Sequence, residues 1–274
     1  MAFVLALGGA VMYGIADFSG GNAARRTPPW AVVAWSQLIG LAALAAGLVL
    51  FPAEELTGSD LLWGMIAGAG GIVGIGLLYR SLAEGTMAVV SPVTAAATAV
   101  LPVVVDVATG GRLSVAVAIG VVLAVIAIVT VAYERSEKRL EPRLLIMALG
   151  AGAGFALFFI AIGQTAEASG FWPLVGARAV SIPAGFALHH TLEARSDTRV
   201  GWGWVAAAGL LDTGANLLVA AALQRGPLGI VSVLASLYPV VTAVAAMVVL
   251  SERPTWVQYG AVAVAMLAVV LLVS

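Results

Sequence analysis

Glu134-Arg135-Ser136-Glu137-Lys138-Arg139-Leu140-Glu141-Pro142-Arg143 is the longest polar stretch in this 274-residue sequence, and it stands at its midpoint. On either side of it the chain is almost wholly apolar. Hydrophobic residues make up 62% of the sequence and charged residues only 10%, with a mean hydropathy of +1.07. A soluble domain of this size carries about 25% charged residues. So much apolar surface cannot be hidden in one water-soluble core, and a bilayer is its natural solvent. Charged and Pro/Gly-rich breaks divide the chain into runs of about 20 residues, the length that crosses a hydrocarbon layer as a helix. Five runs precede the polar stretch, at residues 2–23, 30–51, 61–83, 87–109 and 115–133. Five follow, at 144–166, 172–188, 201–223, 228–250 and 256–273. The fold class expected is an all-α integral membrane protein of ten transmembrane helices, with a first repeat over residues 1–137 and a second over 138–274.

The two halves resemble each other. A shift of 141 residues superposes Trp63 on Trp204, Gly68 on Gly209, Leu77 on Leu218, Gly85 on Gly226, Ser91 on Ser232 and Arg112 on Arg253. A shift of 142 superposes Gly8 on Gly150 and Trp30 on Trp172. Five spans are an odd number, so a second copy enters the membrane from the opposite side. The loop charges agree. The first loop carries Arg25 and Arg26, while its counterpart carries Glu167; the second carries Glu54, Glu55 and Asp60, while its counterpart carries Arg195 and Arg199. Inverted repeats with a midplane site between them are the build of secondary transporters. Counting basic residues by loop puts ten of the 13 on one side and, by the positive-inside rule, both termini outside the cytoplasm. Trp30, Trp63, Trp172, Trp202, Trp204 and Trp256 open spans, where indoles anchor in headgroups. Met1 leads straight into an apolar run and the Arg pair follows it, the reverse of a secretory signal, so the first span is expected to be retained.

Three passages carry a family resemblance: Tyr13-Gly14-Ile15-Ala16-Asp17-Phe18, Tyr79-Arg80-Ser81-Leu82-Ala83-Glu84-Gly85, and Ser251-Glu252-Arg253-Pro254-Thr255 before the last span. The third is similar to a Gly-Glu-Arg-Leu-Ser motif with Ser251 in place of Gly. Its first-half copy, Gly110-Gly111-Arg112-Leu113-Ser114, lacks the Glu. Over essentially the whole chain the sequence resembles the EamA-type ten-helix members of the drug/metabolite transporter superfamily. The resemblance implies an exporter or exchanger of small metabolites in the cell membrane, with a pathway lined by helices 1, 3, 4, 6, 8 and 9. It also implies termini inside the cell, against the charge count. It names no substrate.

Ionisable groups inside spans are expensive and mark function by default. Asp17, Asp106, Arg178 and Asp212 are such groups, and their repeat counterparts, Phe159, Met247, Ser36 and Gly71, are uncharged. Arg178 and Asp212 lie at similar distances from the loop between their helices and hence at similar depth. Asn216 follows Asp212 by one turn. Two readings fit: a substrate site in which Arg178 takes a carboxylate and Asp212 an amine or proton, or a structural ion pair. Asp17 shares a face with Tyr13, Gly14 and Gly21, towards a membrane end. Ser91, Thr94 and Thr98 share one face, and Ser232 and Ser236 another, as helix bridges or pathway lining. Tyr79 and Tyr238 serve as gates or as packing. The candidate substrate-binding set is therefore Arg178, Asp212, Asn216, Asp17, Tyr79, Ser91, Thr94, Ser232 and Tyr238. Small-residue pairs such as Gly64 with Gly68 and Gly70 with Gly74 allow close helix approach, and Pro92, Pro102 and Pro239 invite kinks.

The function expected is secondary transport of a small polar or amphipathic metabolite such as an amino acid. The alternatives are a membrane-embedded enzyme and a non-transporting scaffold. Against the enzyme stand the lack of Cys and of His-Glu-x-x-His or Gly-x-Ser-x-Gly motifs. His189 and His190 are adjacent and diverge on a helix. No cofactor or metal is indicated. A net charge of −1 offers no surface for nucleic acid. The partners expected are a small-molecule substrate and lipid, with homo-oligomerisation left open.

Overall fold

The computed structural model describes residues 1–108, 114–132, 141–193, 200–226, 228–251 and 253–271. Its first half contains α1 (Ala2–Ala24), α2 (Pro29–Leu50), α3 (Gly58–Glu84), α4 (Met87–Ala108) and α5 (Val115–Ala132). The second half contains α6 (Pro142–Ile162), α7 (Trp172–Leu192), α8 (Trp202–Leu223), α9 (Leu228–Ala235), α10 (Tyr238–Val249) and α11 (Trp256–Leu271). No strand occurs among the described residues. Helices α1, α2, α3, α6 and α8 are long and apolar enough to cross a membrane, and shorter apolar stretches lie in α4, α5, α10 and α11. α7 is less apolar because it carries Arg178, His189 and His190. Large apolar side chains face outward: Val4, Leu7, Val11 and Ile15 form an exposed stripe on α1 at helical spacing.

The span expected to be continuous over 228–250 is broken in two. Pro239 sits in the first turn of α10, where its missing N–H costs nothing, instead of kinking a helix interior. Its repeat counterpart α4 runs unbroken through Pro92 and Pro102. The connector at 134–143 is described only from Glu141 onward. Glu252, the Gly110-to-Leu113 part of the motif copy and the side chain of Asp106 also lie outside the described residues.

Helix packing follows the repeat. α1 packs extensively on α8 and α3 on α6; α2 packs on α8 and α3 on α7. Since α6, α7 and α8 are the copies of α1, α2 and α3, each pairing has its exchanged twin. Glycines permit the closest approaches. A Cβ at Gly68 would collide with the Ala177 carbonyl on α7, and one at Gly209 with the Ser36 carbonyl on α2. Gly70 and Gly74 lie against Gly154 and Phe155 on α6. The same device brings Trp30 inside. It is 8% exposed, its ring lies over Gly76, and it does not anchor in headgroups as expected, whereas Trp256 is 89% exposed.

Loop contacts sort the loops into two ends. At one end, the N–H groups of Glu54 and Glu55 donate to the Ala168 carbonyl at 2.9 and 3.0 Å. Asp60 completes a capping box with Thr57 and accepts from the Ala166 N–H at 2.9 Å. Arg225 pairs with Glu167 at 2.8 Å. At the other end, the Glu193 carboxylate accepts from the Trp30 N–H at 3.1 Å and caps α2. The start of α2 thus meets the residue that ends α7, while the α6–α7 loop meets the α2–α3 loop.

Candidate functional site

Where the two exchanged pairs converge, the protein forms a cavity of about 50 Å3, room for a few waters. Its walls come from α1 (Tyr13, Asp17), α2 (Gln37), α3 (Gly68, Gly71, Ile75), α4 (Thr98), α6 (Phe155, Phe158, Phe159), α7 (Ala177, Arg178, Ser181), α8 (Asp212, Asn216) and α10 (Tyr238). α2 and α7 therefore reach the cavity besides the helices the resemblance implies.

Arg178 and Asp212 touch. Arg178 Nη2 lies 3.3 Å from Asp212 Oδ2, with the side chains 9% and 13% exposed. The same Nη2 donates to Thr213 Oγ1 at 2.7 Å, and Nη1 donates to Gln37 Oε1. Gln37 Oε1 also accepts from Ser181 Oγ at 3.0 Å. Asn216 Nδ2 donates to Asp212 Oδ2 at 3.0 Å, and Tyr13 Oη donates to Asn216 Oδ1 at 2.7 Å. A chain of hydrogen bonds thus joins α2, α7, α8 and α1 around one buried ion pair. The network satisfies the groups whose burial would otherwise be costly.

Asp17 behaves differently. It is 5% exposed, lines the cavity rather than a membrane end, and accepts no hydrogen bond among the described residues. A second carboxylate, Asp212, lines the same cavity. Tyr238 lines the same cavity, its ring 6.4 Å edge-on from that of Tyr13 and its buried hydroxyl without a partner among the described residues.

Of the other expected residues, Tyr79, Ser91, Thr94 and Ser232 are buried but do not line the cavity. Tyr79 packs its ring over Gly20, and its hydroxyl, like those of Ser91 and Ser232, has no partner among the described residues. Thr94 Oγ1 bonds back to the Val90 carbonyl at 3.1 Å. Sequence reasoning misses Gln37, Thr213 and Ser181 and the phenylalanines of α6. A lone amide inside an apolar run is the available signal for Gln37.

The two repeats furnish the cavity unequally. A shift of 142 pairs Tyr13 with Phe155 and Asp17 with Phe159; a shift of 141 pairs Gly71 with Asp212 and Ile75 with Asn216. All eight residues line the cavity. The α1–α8 pair is its polar wall and the α3–α6 pair its apolar wall.

No curated protein matches the chain. A solved crystal structure is similar in fold, with a TM-score of 0.67 and 19% identity, covering 98% of this chain and 95% of the other. A model of the EamA-like transporter family matches twice, over residues 1–133 and 142–274. Two family-length copies, repeat-exchanged helix packing and apolar helices of membrane-spanning length agree: the chain is a multi-pass membrane protein of the EamA-like transporter family.

Proposed function

We propose that the protein is a secondary transporter, an exporter or exchanger of a small polar or amphipathic metabolite, working by alternating access at the cavity between two inverted five-span repeats. The observation that carries this reading is the place of the cavity. It lies where the repeat-exchanged pairs α1–α8 and α3–α6 meet, and it holds the charged side chains Asp17, Arg178 and Asp212. Buried charge at a repeat interface marks a carrier's binding site. At about 50 Å3 the cavity has room for a few waters, so a larger substrate enters as the helix pairs part. Flux of a labelled metabolite mixture into liposomes holding the purified protein tests the reading: accumulation above protein-free liposomes supports it, and none contradicts it.

The proposed orientation places the Glu54 end outside the cell and the end with Arg25, Arg26 and Lys138 in the cytoplasm, following the positive charge. The chain has no Cys. A single Glu54→Cys variant is expected to react with an impermeant thiol reagent on intact cells and a Lys138→Cys variant to be protected; the reverse pattern would invert the orientation.

A further inference from the structure

Three charged side chains line the cavity, Asp17, Arg178 and Asp212, and Arg178 is already held by Asp212, Thr213 and Gln37. A substrate carboxylate reaching Arg178 would compete with Asp212 for its one positive charge and add a third carboxylate to the lining. A monocation meets the opposite situation. It finds Asp17, nineteen-twentieths buried, turned to the cavity and accepting no hydrogen bond among the described residues. A buried carboxylate in a low-dielectric interior must be protonated or meet a cation.

Resting on the transport reading, we propose that the substrate is an organic cation whose ammonium group lies against the Asp17 carboxylate and whose apolar body lies against Phe155, Phe158 and Phe159. With all groups ionised, such a ligand brings the lining from one net negative charge to zero, whereas a zwitterion leaves it unchanged and an anion doubles it. Two further features suit an ammonium and not a bare proton. The Tyr238 hydroxyl, buried and unpartnered among the described residues, offers an oxygen to a second N–H. The rings of Tyr13 and Tyr238 line the same cavity as the carboxylate, and aromatic faces attract cations when desolvated. The aromatic wall of α6 stands in the position of the polar face of α1, so the cavity is amphipathic across its width, as an amine with a hydrocarbon body is along its length.

The test uses the full-length protein in liposomes and a labelled metabolite extract divided on a cation-exchange resin at neutral pH. The retained, cationic pool is expected to yield the flux and the unretained pool little. In Asp17→Asn the cation flux should fall by roughly tenfold or more, the scale of one lost charge-assisted hydrogen bond; Asp17→Glu should retain part of it. Because Asp17 accepts no hydrogen bond among the described residues, Asp17→Asn should melt no lower than wild type in detergent. Flux from the unretained pool alone would overturn the cation assignment and leave transport standing. Flux from neither pool would overturn the transport reading itself. Unchanged cation flux in Asp17→Asn, or a lowered melting temperature, would remove Asp17 as the anchor.

Discussion

The walls of the cavity are two copies of one design carrying opposite chemistry. On the α1–α8 side stand Tyr13, Asp17, Asp212 and Asn216; at the equivalent positions on the α3–α6 side stand Phe155, Phe159, Gly71 and Ile75. The scaffold around them has stayed alike. Gly68 receives the backbone of α7 at Ala177 as Gly209 receives the backbone of α2 at Ser36. Close helix approach is a demand on both repeats, so the glycines persist in both. A ligand has no twofold symmetry of its own, so the groups that meet it need not repeat. Asymmetry in a duplicated protein therefore points to the site, and symmetry to the frame.

The largest expected effect comes from breaking the polar wall. Arg178→Leu strands Asp212, and Asp212→Leu strands Arg178, each at about 3–5 kcal/mol. The double variant removes both charges and should recover most of that loss in detergent melting while remaining unable to transport. A double variant no more stable than the singles would mean that the ion pair does not hold α7 to α8.

Breaking the frame should have the next largest effect. Gly209→Leu drives a side chain into the Ser36 carbonyl, where the backbone cannot yield cheaply, at about 1–3 kcal/mol or more. The matching change at Gly68 should behave alike, and a large difference between the two in melting temperature would show that the repeats do not share this contact. A smaller effect is expected from Tyr13→Phe, which gives α1 the residue that α6 carries at Phe155. It removes the hydrogen bond to Asn216, about 0.5–1.5 kcal/mol. A variant as stable as wild type would set that bond's contribution to the network at zero.

Much of this organisation is legible in the sequence. Hydropathy locates the helices to within a few residues because a bilayer demands one length and one composition. The helix break before Pro239 is not legible, since a proline's place within a turn depends on where its helix starts, which composition does not show. Trp30 reads as an anchor because its pocket exists only through Gly76, a residue on another helix. Arg178 and Asp212 stand out, since charges are rare in such runs and antiparallel neighbours share a depth. Gln37 and Thr213 do not, because uncharged polar residues are common in spans and only helix rotation decides which way they point. Phe155, Phe158 and Phe159 look like any lipid-facing run until α6 meets α3.

Whether the cavity is the transport route decides the mechanism. Gly71 lines it opposite the polar wall and is the repeat counterpart of Asp212. A Cβ added at Gly71 would meet Phe158 at 3.4 Å, an ordinary contact. Unlike a Cβ at Gly68 or Gly209, one at Gly71 strikes no backbone. The most direct measurement is liposome flux through Gly71→Leu, with its melting temperature recorded alongside. The expected result is a protein that still folds, with a cooperative melting transition, and carries no substrate, because leucine fills the space between the walls and crowds Phe158. Wild-type flux through that variant would contradict the account and place the transport route elsewhere in the molecule.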